Sequence, residues 1–259
     1  MEDLRVTLIQ SSLHWENVAA NLNLFDEKIA SIPLNSTDLI VLPELFNTGF
    51  TMNAAACFEE MNGVTHQWML SNAKANNCVI IGSLIIKEDG KFYNRLIWAR
   101  PDGSYEVYNK RHLFRMAKED ETFTGGTEKL IVELKGWNIC PMICYDLRFP
   151  VWCRNRKEYD VLIFVANWPQ RRAFAWKHLL IARAIENQSF VIGVNRIGED
   201  GNGMIHSGDS AAIDFMGAEI SSIIPNQNAI ETVTLSYHQL KEFRTQFPAA
   251  MDADEFDIH

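Results

Sequence analysis

Hydrophobic and polar residues follow two periods along this chain, and these periods divide it into helices and strands. In the first helical segment, apolar side chains recur every three to four positions, which indicates a helix with one apolar face. They are Val18, Leu22, Phe25 and Ile29. The pattern predicts helices over residues 17–32, 64–76, 150–156 and 171–187, and a last helix that begins at Ser236 in a capping-box sequence.

Short apolar runs bounded by turn residues predict the strands. Strands and helices alternate early in the chain, but hairpin turns at residues 87–91 and 101–103 separate other strands, so we expect mixed sheets. Two sheets with helices outside them would hold this many strands, an α/β fold. The predicted strands are residues 5–10, 38–42, 79–87, 92–99, 105–110, 130–134, 138–144, 161–166, 190–195, 210–213, 219–223 and 231–235.

Composition bounds the class of protein. The chain has 259 residues, of which 47% are hydrophobic and 22% charged, as expected for a globular protein with a large core. No linker, repeat or low-complexity segment divides it, so we expect one domain over residues 1–259. Every apolar run is shorter than the ~20 residues that cross a bilayer. The N-terminus enters a strand without a signal-like segment, so we expect no membrane partner and a cytoplasmic location.

The five cysteines argue against a metal or disulfide framework. They form no C-x-x-C pair and have no paired histidines at zinc spacing, so we expect no metal and no cofactor. Cys140 and Cys144 lie on one predicted strand, about 13 Å apart at ~3.3 Å per residue, which is too far for a disulfide. At least one free thiol is therefore expected, which suits a reducing compartment.

Charge is unevenly distributed. The net charge of −9 argues against a nucleic-acid partner. Residues 110–183 nevertheless carry 14 Lys and Arg against 8 Asp and Glu. This basic segment is either ordinary surface variation or the lining of a pocket for an anionic small molecule.

Three predicted strands end in residues that could take part in one reaction. Glu44 follows the strand over residues 38–42, Lys110 ends the strand over residues 105–110, and Cys144 ends the strand over residues 138–144. In α/β sheets, ligands bind outside the carboxyl ends of the strands, so these side chains are candidates for one site. A thiol at a strand end, facing the backbone N–H groups of the next turn, can attack a carbonyl group. Taken alone, an isolated cysteine is more often a core residue, and a glutamate or lysine at a strand end is more often a solvated loop residue.

The segments around these residues resemble the carbon–nitrogen hydrolase (nitrilase) family and its Glu-Lys-Cys triad. They are Leu42-Pro-Glu44, Lys110-Arg-His-Leu-Phe114 and Cys144-Tyr-Asp-Leu-Arg-Phe-Pro150. Four further segments resemble the bacterial omega-amidases of that family, which hydrolyse 2-oxoglutaramate: Lys110-Arg-His-Leu-Phe-Arg-Met116, Val165-Ala-Asn-Trp-Pro169, Ala182-Arg-Ala-Ile-Glu-Asn187 and Asp200-Gly-Asn-Gly203. The resemblance implies a four-layer α-β-β-α sandwich and a homodimer or higher homo-oligomer.

The resemblance also implies roles for individual residues. Cys144 would be the nucleophile and Glu44 the general base, while Lys110 and the backbone N–H of Tyr145 would form the oxyanion hole. A second glutamate near the triad is usual in the family. The match favours Glu119 over Glu121 for that position, and a solvated run of charges is the alternative for this loop.

Substrate-binding residues are expected beside the triad. Trp168 follows another apolar strand and would either line the crevice or pack in the core. Arg148, Arg171 and Arg172 are candidates for holding the distant carboxylate of a dicarboxylic monoamide. Arg148 could instead hold Asp146 or the loop in place.

The leading hypothesis is a hydrolase of linear amides that acts on 2-oxoglutaramate, or on a similar monoamide such as succinamate, through a thioester on the cysteine. A nitrilase or an N-carbamoyl amidohydrolase with the same triad is one alternative. A catalytically inactive binding protein with the same fold is another. A cysteine peptidase is the last, and it would need His112, His178 or His206 as its base.

Overall fold

A computed structural model describes residues 2–257 of the chain. Within this range there are seven α-helices: α1 (Val18–Ala30), α2 (Ala54–Cys57), α3 (Val64–Asn76), α4 (Glu119–Thr122), α5 (Pro150–Cys153), α6 (Ala173–Asn187) and α7 (Tyr237–Gln246). The strands are β1 (Leu4–Gln10), β2 (Leu39–Val41), β3 (Val79–Glu88), β4 (Lys91–Ala99), β5 (Tyr105–Asn109), β6 (Val132–Leu134), β7 (Trp137–Ile143), β8 (Val161–Ala166), β9 (Phe190–Asn195), β10 (Ile197–Glu199), β11 (Ile205–Ser207), β12 (Ala211–Ile213) and β13 (Ala229–Leu235).

These strands form two large mixed sheets and a small hairpin. The first sheet has the order β13-β1-β2-β3-β4-β5, and the second has the order β12-β9-β8-β7-β6. In the first sheet β1, β2 and β3 are parallel, and in the second β7, β8 and β9 are parallel. The outer pairs of each sheet are antiparallel. The prediction of mixed sheets is therefore confirmed.

The sheets pack face to face with helices on both outer sides. Alternate residues of β1, including Val6 and Leu8, point into the core between the sheets, where they share a cluster with Met142 of β7. Ile9 points the other way and packs with Phe25 of α1 in a second cluster that also contains α3. This alternation makes the outer face of the first sheet apolar enough to bury two helices.

Helix α6 covers the outer face of the second sheet. A Cβ atom at Gly193 of β9 would lie 2.6 Å from Leu180 Cδ1 and 2.8 Å from Trp176 Cζ2, so only glycine lets α6 lie this close to the strand. The four-layer α-β-β-α sandwich expected from the resemblance is confirmed.

Several predicted elements differ from the structure. The strand predicted over residues 219–223 is wrong, because only one bridge, between Ile213 and Glu219, forms there. Polar side chains replace the ladder: Ala212 N donates to Ser221 Oγ, and Ser222 N donates to the Glu231 carboxylate. Helix α5 is shorter than predicted, and α2, α4 and the β10–β11 hairpin were not predicted. Ser236 precedes α7, but its side chain forms no capping hydrogen bond.

No helix among residues 2–257 is both long and apolar enough to cross a membrane.

Candidate active site

Cys144 lies at the end of β7, where the chain turns sharply into a 3-10 helix over Cys144–Arg148. Its φ of 43° is in the left-handed region, which is strained for a residue other than glycine. Asp146 supports this turn, because its Oδ2 accepts a hydrogen bond of 3.1 Å from Ile143 N. The backbone N–H of Tyr145 is in the first turn of the helix, where N–H groups have no intrahelical partner.

The same aspartate connects the cysteine turn to the segment that carries Lys110. Asp146 Oδ2 accepts a hydrogen bond of 2.7 Å from the Tyr108 hydroxyl, and Oδ1 accepts one of 3.0 Å from His112 N. Since Tyr108 and His112 flank Lys110, Asp146 fixes the position of Lys110 relative to Cys144. The alternative in which Arg148 holds Asp146 is wrong, because the hydrogen bonds of this carboxylate go to other residues.

Glu44 follows β2 and is fully buried. Its Oε1 accepts hydrogen bonds from Lys110 Nζ at 2.9 Å and from Asn94 Nδ2 at 2.8 Å. Its Oε2 accepts one of 2.8 Å from the backbone N–H of Asn167, which follows β8. Residues at the ends of strands from both sheets therefore meet at this one carboxylate.

Lys110 lies between two buried carboxylates. Its Nζ is 2.9 Å from Glu119 Oε1 and 3.0 Å from Glu119 Oε2, in addition to its contact with Glu44. Phe114 N also donates to Glu119 Oε2, at 2.6 Å. Glu121 instead is exposed, and its Oε2 lies 3.6 Å from Lys118 Nζ. The geometry thus places Glu119, and not Glu121, beside the lysine. We call Glu44, Lys110, Glu119 and Asn94 the buried cluster.

Burial and charge shift the pKa values of these groups. Burial would lower the pKa of Lys110, but the charges of Glu119 and Glu44 outweigh it and raise that pKa. Burial raises the pKa of Glu119. The charge of Lys110 lowers this pKa, and the charge of Glu44 raises it. Burial also raises the pKa of the Cys144 thiol well above its ordinary value, and the charge of Glu44 adds to this rise. The resting cysteine is therefore a neutral thiol that needs a base to become a nucleophile.

A cavity of about 590 Å³ opens above the buried cluster. Cys144 and Lys110 reach its floor, and all four predicted substrate-binding residues line it. These four are Trp168, Arg148, Arg171 and Arg172. Glu44 and Glu119 are not among the lining residues, so they lie behind Lys110 and Cys144 as seen from the cavity.

We call the three arginines the arginine wall, and two of them have aromatic neighbours. The Arg148 guanidinium lies 4.8 Å from the centre of the Trp168 ring, and that of Arg172 lies 5.0 Å from the Phe114 ring. Among residues 2–257, no carboxylate lies within 4.0 Å of a nitrogen of these guanidinium groups. Burial lowers the pKa of Arg172, and the nearby charges of Arg171 and Arg148 lower it further. Positive charge is therefore concentrated at this side of the cavity.

Comparison with known proteins agrees with this geometry. A family model described as carbon-nitrogen hydrolase matches residues 5–245. The chain belongs to the carbon–nitrogen hydrolase family. Omega-amidase YafV of Escherichia coli K12 is 44% identical over 258 residues, which cover 100% of both proteins. The 2-oxoglutaramate amidase of Bacillus subtilis 168 is 36% identical over 185 residues, which cover 70% of this chain and 71% of that protein.

A solved structure is similar over the whole chain. It is a CN-hydrolase superfamily protein of Xanthomonas campestris with an arsenic adduct in its active site. The two structures superpose with a TM-score of 0.98 at 44% sequence identity, and the match covers 100% of both chains. The resemblance to carbon–nitrogen hydrolases, and to the omega-amidases among them, is confirmed by these comparisons.

Of the three histidines considered as a peptidase base in this carbon–nitrogen hydrolase, two lie outside the cavity that contains the thiol. The His112 ring stacks on Phe149 at 3.7 Å and contacts Asp146, and His178 is exposed on α6. Neither lines the cavity. His206 does line it, but burial and the charge of Arg196 lower its pKa to about 4.

Two asparagines of the carbon–nitrogen hydrolase site were not predicted as site residues. Asn94 contacts both carboxylates of the buried cluster, and Asn167 holds Glu44 through its backbone and its side chain. Asn94 has a signal in the sequence, because it is a polar residue on the face of β4 that otherwise carries Leu96 and Trp98 inward. Among residues 2–257, no group of three or more His, Cys, Asp or Glu side chains is placed to hold a metal ion.

Proposed function

We propose that this carbon–nitrogen hydrolase is an omega-amidase that converts 2-oxoglutaramate, or a similar dicarboxylic monoamide such as succinamate, to the dicarboxylic acid and ammonia. The observation that carries the proposal is the arginine wall beside Cys144, three guanidinium groups without a carboxylate partner among the described residues. The substrate's free carboxylate would supply that partner. The names of the Escherichia coli and Bacillus subtilis relatives support the same substrate class.

In the first half of the reaction, Glu44 takes the proton of the Cys144 thiol, and the sulfur attacks the amide carbon. Negative charge then develops on the amide oxygen, where Lys110 Nζ and the backbone N–H of Tyr145 donate hydrogen bonds. As the tetrahedral intermediate collapses, the C–N bond breaks and Glu44 returns the proton to the leaving nitrogen. Ammonia departs, and the acyl group remains on the sulfur as a thioester.

In the second half, Glu44 takes a proton from water while the water oxygen attacks the thioester carbon. The C–S bond breaks, the acid forms, and the proton returns to the sulfur. Glu119 positions Lys110 in both halves, since its two oxygens accept hydrogen bonds from the lysine at 2.9 and 3.0 Å. The oxyanion hole is therefore in place before the substrate binds.

Substrate selection would depend on the arginine wall and Trp168. Trp168 Nε1 donates a hydrogen bond of 2.8 Å to Arg172 O, which holds the ring against the segment that carries two of the arginines. The ring would contact the apolar carbons of the substrate chain, and one or more of the guanidinium groups would bind its carboxylate.

The wider setting of the enzyme is also part of the proposal: one domain over residues 1–259, acting as a homodimer in the cytoplasm. Phe174 and Ile185 on α6 are exposed apolar residues at 77% and 52%, and Phe174 stacks on His178, which supports a contact with a second copy. All five cysteines are free, which supports a reducing compartment.

Ammonia release from five compounds tests the proposal. They are 2-oxoglutaramate, succinamate, glutamine, a neutral aliphatic amide and a nitrile, each compared between the wild type and Cys144→Ala. We expect turnover of the two anionic monoamides that is abolished in the variant. Preferred turnover of a neutral amide or a nitrile would overturn the substrate assignment and favour the nitrilase or carbamoylase alternatives. No turnover that depends on Cys144 would favour a binding protein.

A further inference from the structure

Asn94 of β4 contacts the same two oxygens as the catalytic lysine. Its Nδ2 donates to Glu44 Oε1 at 2.8 Å and to Glu119 Oε1 at 3.3 Å. Lys110 Nζ donates to these two oxygens at 2.9 Å each. The two nitrogens therefore bridge the two carboxylates side by side, one as a cation and one as a neutral donor.

The backbone of Asn94 reinforces this arrangement. Lys110 N donates a hydrogen bond of 2.9 Å to Asn94 O, so the same residue positions the lysine along the sheet edge. Asn94 is 1% exposed, and its Oδ1 has no hydrogen-bond partner within residues 2–257. An unmet buried acceptor costs stability, so the side chain is a poor choice for holding the fold alone.

The number of lone pairs on Glu44 gives this contact a chemical consequence. Each carboxylate oxygen accepts about two hydrogen bonds. Lys110 and Asn94 occupy both acceptor positions of Oε1, whereas Asn167 N occupies only one position of Oε2. Oε2 is thus the oxygen that retains room for a proton.

We propose that Asn94 is a positioning residue, which saturates Oε1 of Glu44 so that Oε2 receives the proton from Cys144 and later from water. This inference rests on the proposed role of Glu44 as the base. Asn94 also donates a hydrogen bond to both carboxylates, which stabilises their ionised forms. This stabilisation is needed because the buried cluster holds two carboxylates and only one lysine to balance their charge. The ionisable groups that face one another here are Glu44, Glu119, Lys110 and Cys144.

Replacing Asn94 with leucine removes the donor and keeps the approximate size of the side chain. We expect kcat to fall about 10- to 100-fold, as for the loss of a hydrogen bond to a charged group, with KM changed less than about threefold. The acid limb of the pH profile of kcat/KM should move to higher pH, because the carboxylates protonate more easily without the donor. Stability should change little, since the unmet Oδ1 is removed as well.

Asn47→Leu is the matched control. Asn47 is also fully buried, donates to a carboxylate oxygen of Glu59 at 3.4 Å, and has an Oδ1 without a partner in the described chain. It lies outside the buried cluster, so its replacement should leave the position of the acid limb unchanged.

A second measurement needs no substrate. The rate at which iodoacetamide alkylates Cys144 is measured as a function of pH, by following the peptide that contains Cys144. This rate reports the ionisation of the thiol and of its base. Glu44→Gln should abolish the acid limb of this profile, and Asn94→Leu should move it upward. If Glu44→Gln leaves the profile intact, the base assignment fails. If Glu44→Gln abolishes the limb but Asn94→Leu does not move it, the role of Asn94 is overturned. Should Asn94→Leu fail to fold, Asn94→Ala, which also removes the donor, is judged by the same shift.

Discussion

The buried cluster and the arginine wall are both charged, but they differ in how their charges are paired. In the buried cluster, Lys110 contacts two carboxylates and Asn94 donates to the same oxygens. In the arginine wall, two of the three arginines contact aromatic rings, and none has a carboxylate partner in the described chain. Paired groups hold their positions before substrate arrives, whereas unpaired cations can bind a ligand. We therefore propose that the buried cluster carries out the chemistry and that the arginine wall selects the substrate.

The largest expected effect comes from the base. Glu44→Gln should lower kcat by about 10²- to 10⁴-fold for charged and neutral amides alike, because proton transfer is lost in both halves of the reaction. Steady-state ammonia release measures this loss. Glu121→Gln, the same change at an exposed glutamate, should have no effect. Near-normal turnover in Glu44→Gln would contradict the role of Glu44 as the base.

Lys110→Met should have the next largest effect. Loss of one oxyanion donor costs about 10²- to 10³-fold in rate. It also leaves two buried carboxylates without their cation, which should cost roughly 3–5 kcal/mol in the free energy of unfolding. Quenched-flow mass analysis of the acyl-enzyme and urea unfolding measure the two losses, with the exposed Lys118→Met as the control. Rapid accumulation of the acyl-enzyme in Lys110→Met would contradict the oxyanion role.

The arginine wall should respond differently. Of the three arginines, Arg172 is half-buried, whereas Arg171 is exposed. Arg172→Gln should therefore raise KM for succinamate about 10- to 100-fold, and more than Arg171→Gln does. Arg111→Gln is the control, because Arg111 also lies over an aromatic ring, that of Trp152, but does not line the cavity. Equal increases of KM for a neutral amide would contradict carboxylate binding.

His206 gives the smallest effect, and it tests whether this cavity histidine stays uncharged in the folded chain at neutral pH. Its pKa is lowered to about 4 by burial and by the charge of Arg196. As the pH falls below the ordinary pKa of 6.5, His206 becomes protonated in the unfolded chain but stays neutral in the folded chain until about pH 4. The free energy of unfolding therefore falls over this range. His206→Gln should remove about 2 kcal/mol of the loss between pH 7.5 and pH 5, measured by urea unfolding. His178→Gln, at an exposed position, should leave the loss unchanged.

The sequence predicted the positions of the triad because strand ends are visible in it. Glu44, Lys110 and Cys144 each follow an apolar or alternating run, and sheets bring such ends together. The choice of Glu119 depended on the resemblance, because its inward direction comes from Lys118, whose left-handed backbone begins α4. No periodicity signals that turn.

Side-chain contacts between segments that are distant in sequence could not be predicted from the sequence. The inward position of Asn94 is visible in the alternation of β4, but its two carboxylate partners come from segments that are distant in sequence. The prediction of a strand over residues 219–223 was wrong for a related reason. Side-chain oxygens of Ser221 and Glu231 accept the hydrogen bonds that a backbone ladder would use there. Strand propensity does not take such competing side-chain acceptors into account.

The most direct test of this division is the ratio of kcat/KM for succinamate to that for 4-methylpentanamide, in which two methyl groups replace the carboxylate oxygens. We predict a high ratio in the wild type, the same ratio in Glu44→Gln despite its low rates, and a reduced ratio in Arg172→Gln with turnover of the neutral amide retained. A ratio that falls in Glu44→Gln, or one that no replacement in the arginine wall changes, would contradict this division.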